Sequence, residues 1–176
     1  MNIFYLDKCP DKSARLQYNK HVVKMILESA QMLCTAHHVY GNLYQKENVP
    51  YKQAHLNHPS TIWTRASVQH YMWLYNHMMA LGLEYTKRYG KQHLTITKLG
   101  DILKHPPKNA HFNKIGTDAT PAMPEECKIP GDSVASYRKY YIMKKARFAT
   151  WKNRVPPKWF AEGLIEHLGG TVANGV

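Results

Sequence analysis

The sequence predicts a mostly α-helical chain: a compact bundle of three long helices with short helices, a short N-terminal extended segment and a long irregular connection around 105–132. Three observations predict it. Two long stretches, 10–39 and 60–90, carry apolar residues at steps of three and four, the period of an amphipathic helix. A third stretch, 133–151, has neither Pro nor Gly. The segments between them concentrate Pro and Gly, which punctuate helices.

Residues 1–6 alternate loosely and read as one short strand or an extended arm, broken by Asp7 and Lys8. The first helix spans 10–39, with Leu16, Val22, Val23, Ile26, Leu27, Ala30, Leu33 and Cys34 on its apolar face and Gly41 as its stop. Polar residues 41–59, with Pro50 and Pro59, read as a loop. His58-Pro59-Ser60 starts the second helix, whose apolar face carries Ile62, Trp63, Ala66, Tyr71, Trp73, Leu74, Met78, Leu81 and Tyr85 and which Gly90 ends. A short helix follows at 95–104. Pro106, Pro107, Gly116, Pro121, Pro124, Pro130 and Gly131 then make a long irregular stretch, of the kind that lies against a ligand. Asp132 or Ser133 caps the third helix, which runs to about Trp151. Pro156-Pro157 breaks it, a short helix covers 157–168, and Gly169-Gly170 opens a flexible tail over 169–176. The expected organisation is one helical domain, 1–168.

Lys plus Arg number 24 against 12 Asp plus Glu, a net charge of +12 on 176 residues. Such an excess favours a polyanionic or phosphate-bearing partner. No apolar run approaches the roughly 20 residues that span a bilayer. The first six residues are too short for a secretory signal, and three cysteines do not make a disulfide framework. The expectation is a soluble monomer of the cytoplasm of a bacterial or virus-infected cell.

The charge is concentrated. Arg138, Lys139, Lys144, Lys145, Arg147, Lys152, Arg154 and Lys158 fall in a segment with no acidic residue between Ser133 and Ala161. Tyr137, Tyr140, Tyr141, Phe148, Trp151 and Trp159 interleave with them. Cations grip phosphates and aromatic rings stack on bases, so the pattern points to nucleic acid. The competing reading is a solvated helix with aromatic core residues. Eight cations without one balancing carboxylate favour the nucleic acid.

On the first helix, Lys20, His21, Lys24 and Glu28 lie on neighbouring stripes, and Glu28 is the one carboxylate between Asp11 and Glu47. A lone carboxylate among cations is a candidate general acid/base. Against this stands a plain surface pair between Lys24 and Glu28 at i, i+4. At the second helix, His58 and Ser60 sit where free N–H groups attract anions, with Arg65 and His70 further along. There the alternative is a capping Ser beside a satisfied His. Cys34, His37, His38, His55 and His58 match no standard zinc spacing, so no metal is expected. No Gly-rich phosphate loop and no GxSxG elbow occur, and no cofactor is expected.

Asn57-His58-Pro59 ahead of an aromatic helix, that helix's end over Glu84 to Gly90, and Tyr137-Arg138-Lys139-Tyr140-Tyr141 together resemble the pyrimidine-dimer DNA glycosylases of the phage endonuclease V type and their bacterial relatives. The resemblance covers about half the chain and its motifs are short. It implies base excision with strand cleavage on double-stranded DNA, without metal or cofactor. An amine attacks C1′ of a damaged or modified pyrimidine nucleotide and forms an imine, which a glutamate on the first helix stabilises. That family uses the α-amine of a processed N-terminus. Here Asn2 is bulky and Met1 stays, so the nucleophile is Met1, or else Lys20 or Lys24. The family also places Arg-Glu together on the first helix, where this chain has Lys20-His21 with Glu28 two turns on.

The resulting expectation is a glycosylase/AP lyase. Glu28 is its carboxylate, with His21 as the alternative group; Lys24 assists and Met1 supplies the amine. His58, Arg65 and His70 contact the lesion strand, Lys20 and Ser60 bind phosphate, and Arg138, Lys144, Lys145 and Arg147 clamp the backbone. The rival expectations are a non-catalytic, phage-type protein that binds a nucleotide or nucleic acid, and an interaction protein using the aromatic helix 61–89.

Overall fold

A computed structural model describes residues 1–111 and 114–169. Among them all regular structure is helical. Two helices of 22 residues, α2 (Asn19–Tyr40) and α5 (Val68–Tyr89), pack against each other. Against α5 lies α1 (Pro10–Leu16), and against α2 lies α4 (Pro59–Ala66). The shorter α3 (Leu43–Asn48) and α6 (Leu94–Leu99) flank α2. The C-terminal side holds α7 (Ser133–Tyr140) and α8 (Lys158–His167).

Each long helix expected from the apolar period is shorter in the structure, for a tertiary reason. The stretch 10–39 divides at Gln17 and Tyr18, which are extended. No Pro or Gly marks the place. Arg88, 1% exposed, reaches across from α5 and donates to the carbonyls of Arg15 (3.1 Å) and Gln17 (2.8 Å) and to Asn19 Oδ1 (3.2 Å). Trp151 Nε1 takes the carbonyl of Leu16. These side chains satisfy the open end of α1, so the chain turns there and α2 starts on a new axis. The stretch 60–90 divides at Ser67, whose hydroxyl caps α5 by accepting from the His70 N–H at 3.1 Å. The third helix keeps α-geometry only to Tyr140. Tyr141–Lys145 forms a π turn and Ala146–Phe148 a 3₁₀ turn.

Within the expected loop 41–59, Asn42 and Gln45 form a capping box that builds α3. The short helix expected at 95–104 divides into α6 and a 3₁₀ turn, Ile102–Lys104. The connection after it is irregular where described, apart from the 3₁₀ turn Glu125–Cys127. Residues 170–176 of the expected tail, and residues 112–113, lie outside the described residues.

Arg88 also pairs with Glu84, one turn earlier, and Glu84 holds Arg154 as well. Burial opposes charge on Glu84, but the hydrogen bond and charge of Arg154, then those of Arg88, outweigh it and lower its pKa. Arg88→Met leaves Glu84 half-paired and the Arg15 and Gln17 carbonyls bare, while Asn19 Oδ1 keeps the Lys152 N–H. It is expected to cost about 3–5 kcal/mol. Urea unfolding checks this, and an unchanged midpoint would show the junction is held by packing alone.

The extended arm expected at 1–6 is buried without a strand partner: Ile3, Phe4, Tyr5 and Leu6 all lie in the core. Its backbone groups are satisfied by side chains, as burial requires. Gln17 Nε2 donates to the carbonyls of Ile3 and Phe4. Ser13 accepts from the Leu6 N–H and donates to the Phe4 carbonyl, and Arg138 Nε donates to the Leu6 carbonyl. The arm therefore passes between α1, α2 and α7, and its first residues arrive at the middle of α2.

Candidate active site

At that point Met1, Asn2, Phe4, His21, Lys24, Glu28, Tyr140 and Lys145 line a cavity of about 190 Å³. The helical period puts His21, Lys24 and Glu28 on one side of α2, as i, i+3 and i+7. Glu28 is 8% exposed and stands between two cationic groups. Its Oε2 lies 3.6 Å from the α-amino nitrogen of Met1 and accepts from the Asn2 N–H at 2.9 Å. Its Oε1 lies 3.3 Å from Lys24 Nζ.

The amine is aimed by the next three residues. Asn2 Oδ1 accepts from the N–H groups of Ile3 (2.7 Å) and Phe4 (3.3 Å), and its Nδ2 donates to the Ala122 carbonyl at 2.7 Å. The turn is completed by Phe4 at φ 55°, a left-handed conformation that a bulky residue seldom takes. Such a residue costs on the order of 1–3 kcal/mol. It is held by stacking of the Phe4 ring on His21, with centroids 3.7 Å apart. Thr61 donates to the Met1 sulfur, fixing the side chain on the other side of the amine.

His21 is clamped at both ring nitrogens. Nε2 lies 2.8 Å from the Tyr18 hydroxyl and Nδ1 lies 2.7 Å from the Tyr141 hydroxyl. Burial, then the charges of Lys145 and Lys24, push its pKa down to about 2, so the ring is neutral at physiological pH. It supports Phe4 and offers the cavity no free lone pair, so Glu28 is the carboxylate of the cavity lining.

Around the mouth, cations alternate with rings. Lys145 Nζ sits 4.8 Å above the Tyr140 ring. Phe148 takes Lys20 Nζ at 4.7 Å and the Arg147 guanidinium at 4.4 Å. Lys20 lies one turn before Lys24 on α2 and does not line the cavity.

Four other sequence-predicted residues have different duties. Ser60 is fully buried, and its N–H is taken by His58 Nδ1, which caps α4. The expected anion site is therefore closed by the chain's own imidazole. His58 is half-buried, and its pKa is lowered by burial and then by the neighbouring Met1 amine and His55. Arg65 donates to the Leu56 carbonyl at 2.7 Å and braces the loop before α4. His70 is a core residue: Nε2 accepts from the Thr117 N–H, leaving Nδ1–H to donate to the Trp63 carbonyl, and the ring stacks on Trp63. Hydrophobic period alone does not tell these buried polar groups from exposed ones.

The expected backbone clamp also divides. Lys145 lines the cavity, whereas Arg147 is exposed and lines a separate depression with Ile142, Met143 and Leu164. Arg138 is turned to the Leu6 carbonyl, Asp7 and the Trp159 ring. Lys144 pairs with Glu126 at 2.9 Å. Asn2, Phe4, Tyr18 and Tyr141 are site residues that the sequence reading missed. The visible signal was an apolar run too short for a signal and too early for a helix.

Among the described residues, no three His, Cys, Asp or Glu side chains are grouped to hold a metal ion, and no helix is long and apolar enough to cross a membrane. Comparison with protein families, with curated proteins and with solved structures finds no match.

Proposed function

We propose that the chain is a base-excision enzyme, a DNA glycosylase/AP lyase that acts on a damaged or modified pyrimidine in double-stranded DNA through an imine, as a monomer in the cytoplasm. The observation that carries this reading is the Met1 amine 3.6 Å from a buried Glu28, in a cavity with cations at its mouth. An amine beside a carboxylate has two tasks at C1′ of a nucleotide. The unprotonated nitrogen attacks, and the carboxylate accepts and returns protons as the base leaves and the imine forms. Neither step needs a metal or an organic cofactor. The attacked sugar lies inside a duplex, so the nucleotide must be turned out of the stack. Lys20, Lys24, Lys145 and Arg147 then meet the phosphates on either side, and Tyr140 and Phe148 offer faces for unstacked bases. The likeness to pyrimidine-dimer glycosylases supports the same chemistry.

Borohydride reduction tests the reading. Wild-type protein on a duplex with one abasic site is expected to yield a covalent adduct, with the added mass on the peptide that begins at Met1. An adduct on the Lys24 peptide would move the nucleophile there. No adduct on any abasic or damaged duplex, with binding intact, would leave a non-catalytic nucleic-acid-binding protein.

A further inference from the structure

The π turn breaks regular helical geometry beside the cavity, and it sorts neighbouring cations. In an α-helix, residues five apart stand about 140° from each other on the cylinder. A π turn closes at i+5, so such residues come onto one side. Lys145 is five residues after Tyr140, and its ammonium lies over that ring at 4.8 Å. Both line the cavity that holds Met1 and Glu28. Lys144, the preceding residue, is turned away to Glu126. Tyr141 opens the π turn and reaches inward to His21 Nδ1, which fastens the turn to α2. The two lysines of the cavity also differ. Lys24 is neutralised by Glu28, whereas Lys145 has no carboxylate within 4.0 Å among the described residues.

Resting on the glycosylase/lyase reading, we propose that the π turn at Tyr141–Lys145 exists to deliver Lys145 to the phosphate that leaves the attacked sugar, where its ammonium stabilises the departing group. In the elimination, the C2′ proton passes to Glu28 and its electron pair becomes a carbon–carbon double bond to C3′. The C3′–O bond breaks and its pair stays on the oxygen. The departing phosphodiester becomes a phosphomonoester, with one more negative charge than it had. A half-buried, carboxylate-free cation at that place acts on the elimination and not on imine formation.

The test separates the two steps. Wild type, Lys145→Ala, Lys145→Arg and Lys144→Ala are given an abasic duplex at saturating protein. The borohydride-trapped adduct measures imine formation, and single-turnover strand cleavage without borohydride measures elimination. Lys145→Ala is expected to trap at the wild-type rate and to cleave about a hundredfold more slowly. Lys145→Arg should recover most of the cleavage, and Lys144→Ala should match wild type in both. Equal loss of trapping and cleavage in Lys145→Ala would make Lys145 a general binding residue and overturn the proposal, as would cleavage at the wild-type rate. A wild-type protein that traps no adduct would instead remove the lyase reading beneath it.

Discussion

Glu28→Gln is expected to leave the chain folded and bound to DNA while cutting strand cleavage at an abasic site by about a hundredfold or more. The amide keeps the size of the carboxylate and still offers an oxygen to the Asn2 N–H, so the turn that aims Met1 survives. What is lost is the ability to take a proton. A companion loss appears at the amine: without a carboxylate at 3.6 Å, the ammonium has no nearby acceptor to which it can pass its proton before attack. Single-turnover cleavage and a binding titration on the same duplex check both parts. Normal cleavage by the variant would remove Glu28 from the chemistry. Loss of binding together with cleavage would make it a structural carboxylate.

The second large effect is on stability in mild acid. His21 is pushed down to about 2, and His37 and His77 to about 4, in each case first by burial. All three are nearly or fully shielded from solvent. Their folded pKa values lie below the ordinary 6.5. Below pH 6.5 the unfolded chain therefore takes up protons that the folded chain refuses. Stability is complete above that pH and is lost as pH falls toward 4, at a little over 1 kcal/mol per pH unit for each histidine. Glu84 adds its loss lower, as pH falls through its depressed pKa and the links to Arg154 and Arg88 weaken. Calorimetry from pH 7.5 to 4.5 should show a level Tm above 6.5 and a steep fall below it. A level Tm down to pH 5 would mean that these rings are hydrated and titrate normally.

The helical content was legible because it rests on a strong period: most apolar residues of 10–39 and 60–90 face one core, although Val23 and Leu27, expected on the first helix's apolar face, and Ile62 on the second are exposed. Neither helix break was read from the sequence. At Ser67 the apolar period runs straight through the residue that caps α5. The break at Gln17 depends on Arg88, 71 residues away, and no local pattern announces it. In the site, Glu28 and Lys24 were readable because helical spacing brings them together on α2 whatever the rest of the chain does. Met1 was readable only through a resemblance, since spacing says nothing about where an extended arm docks. Ser60 and His70, expected as anion contacts, are buried, since a cap and an anion site use the same residue types and sequence does not give burial. The left-handed Phe4 had no sequence signal, since a phenylalanine is a poor choice for that conformation and persists because its ring is stacked.

The burial of residues 1–6 carries a consequence for how the protein is made. Asn2 is bonded to Ala122 and Leu6 to Arg138, contacts 120 and 132 residues apart. These first residues leave the ribosome well before their partners exist, and such distant pairings close slowly. The Met1 nitrogen thus waits, unhoused, until the C-terminal quarter has emerged, and a nascent or truncated chain carries the amine without its enclosure.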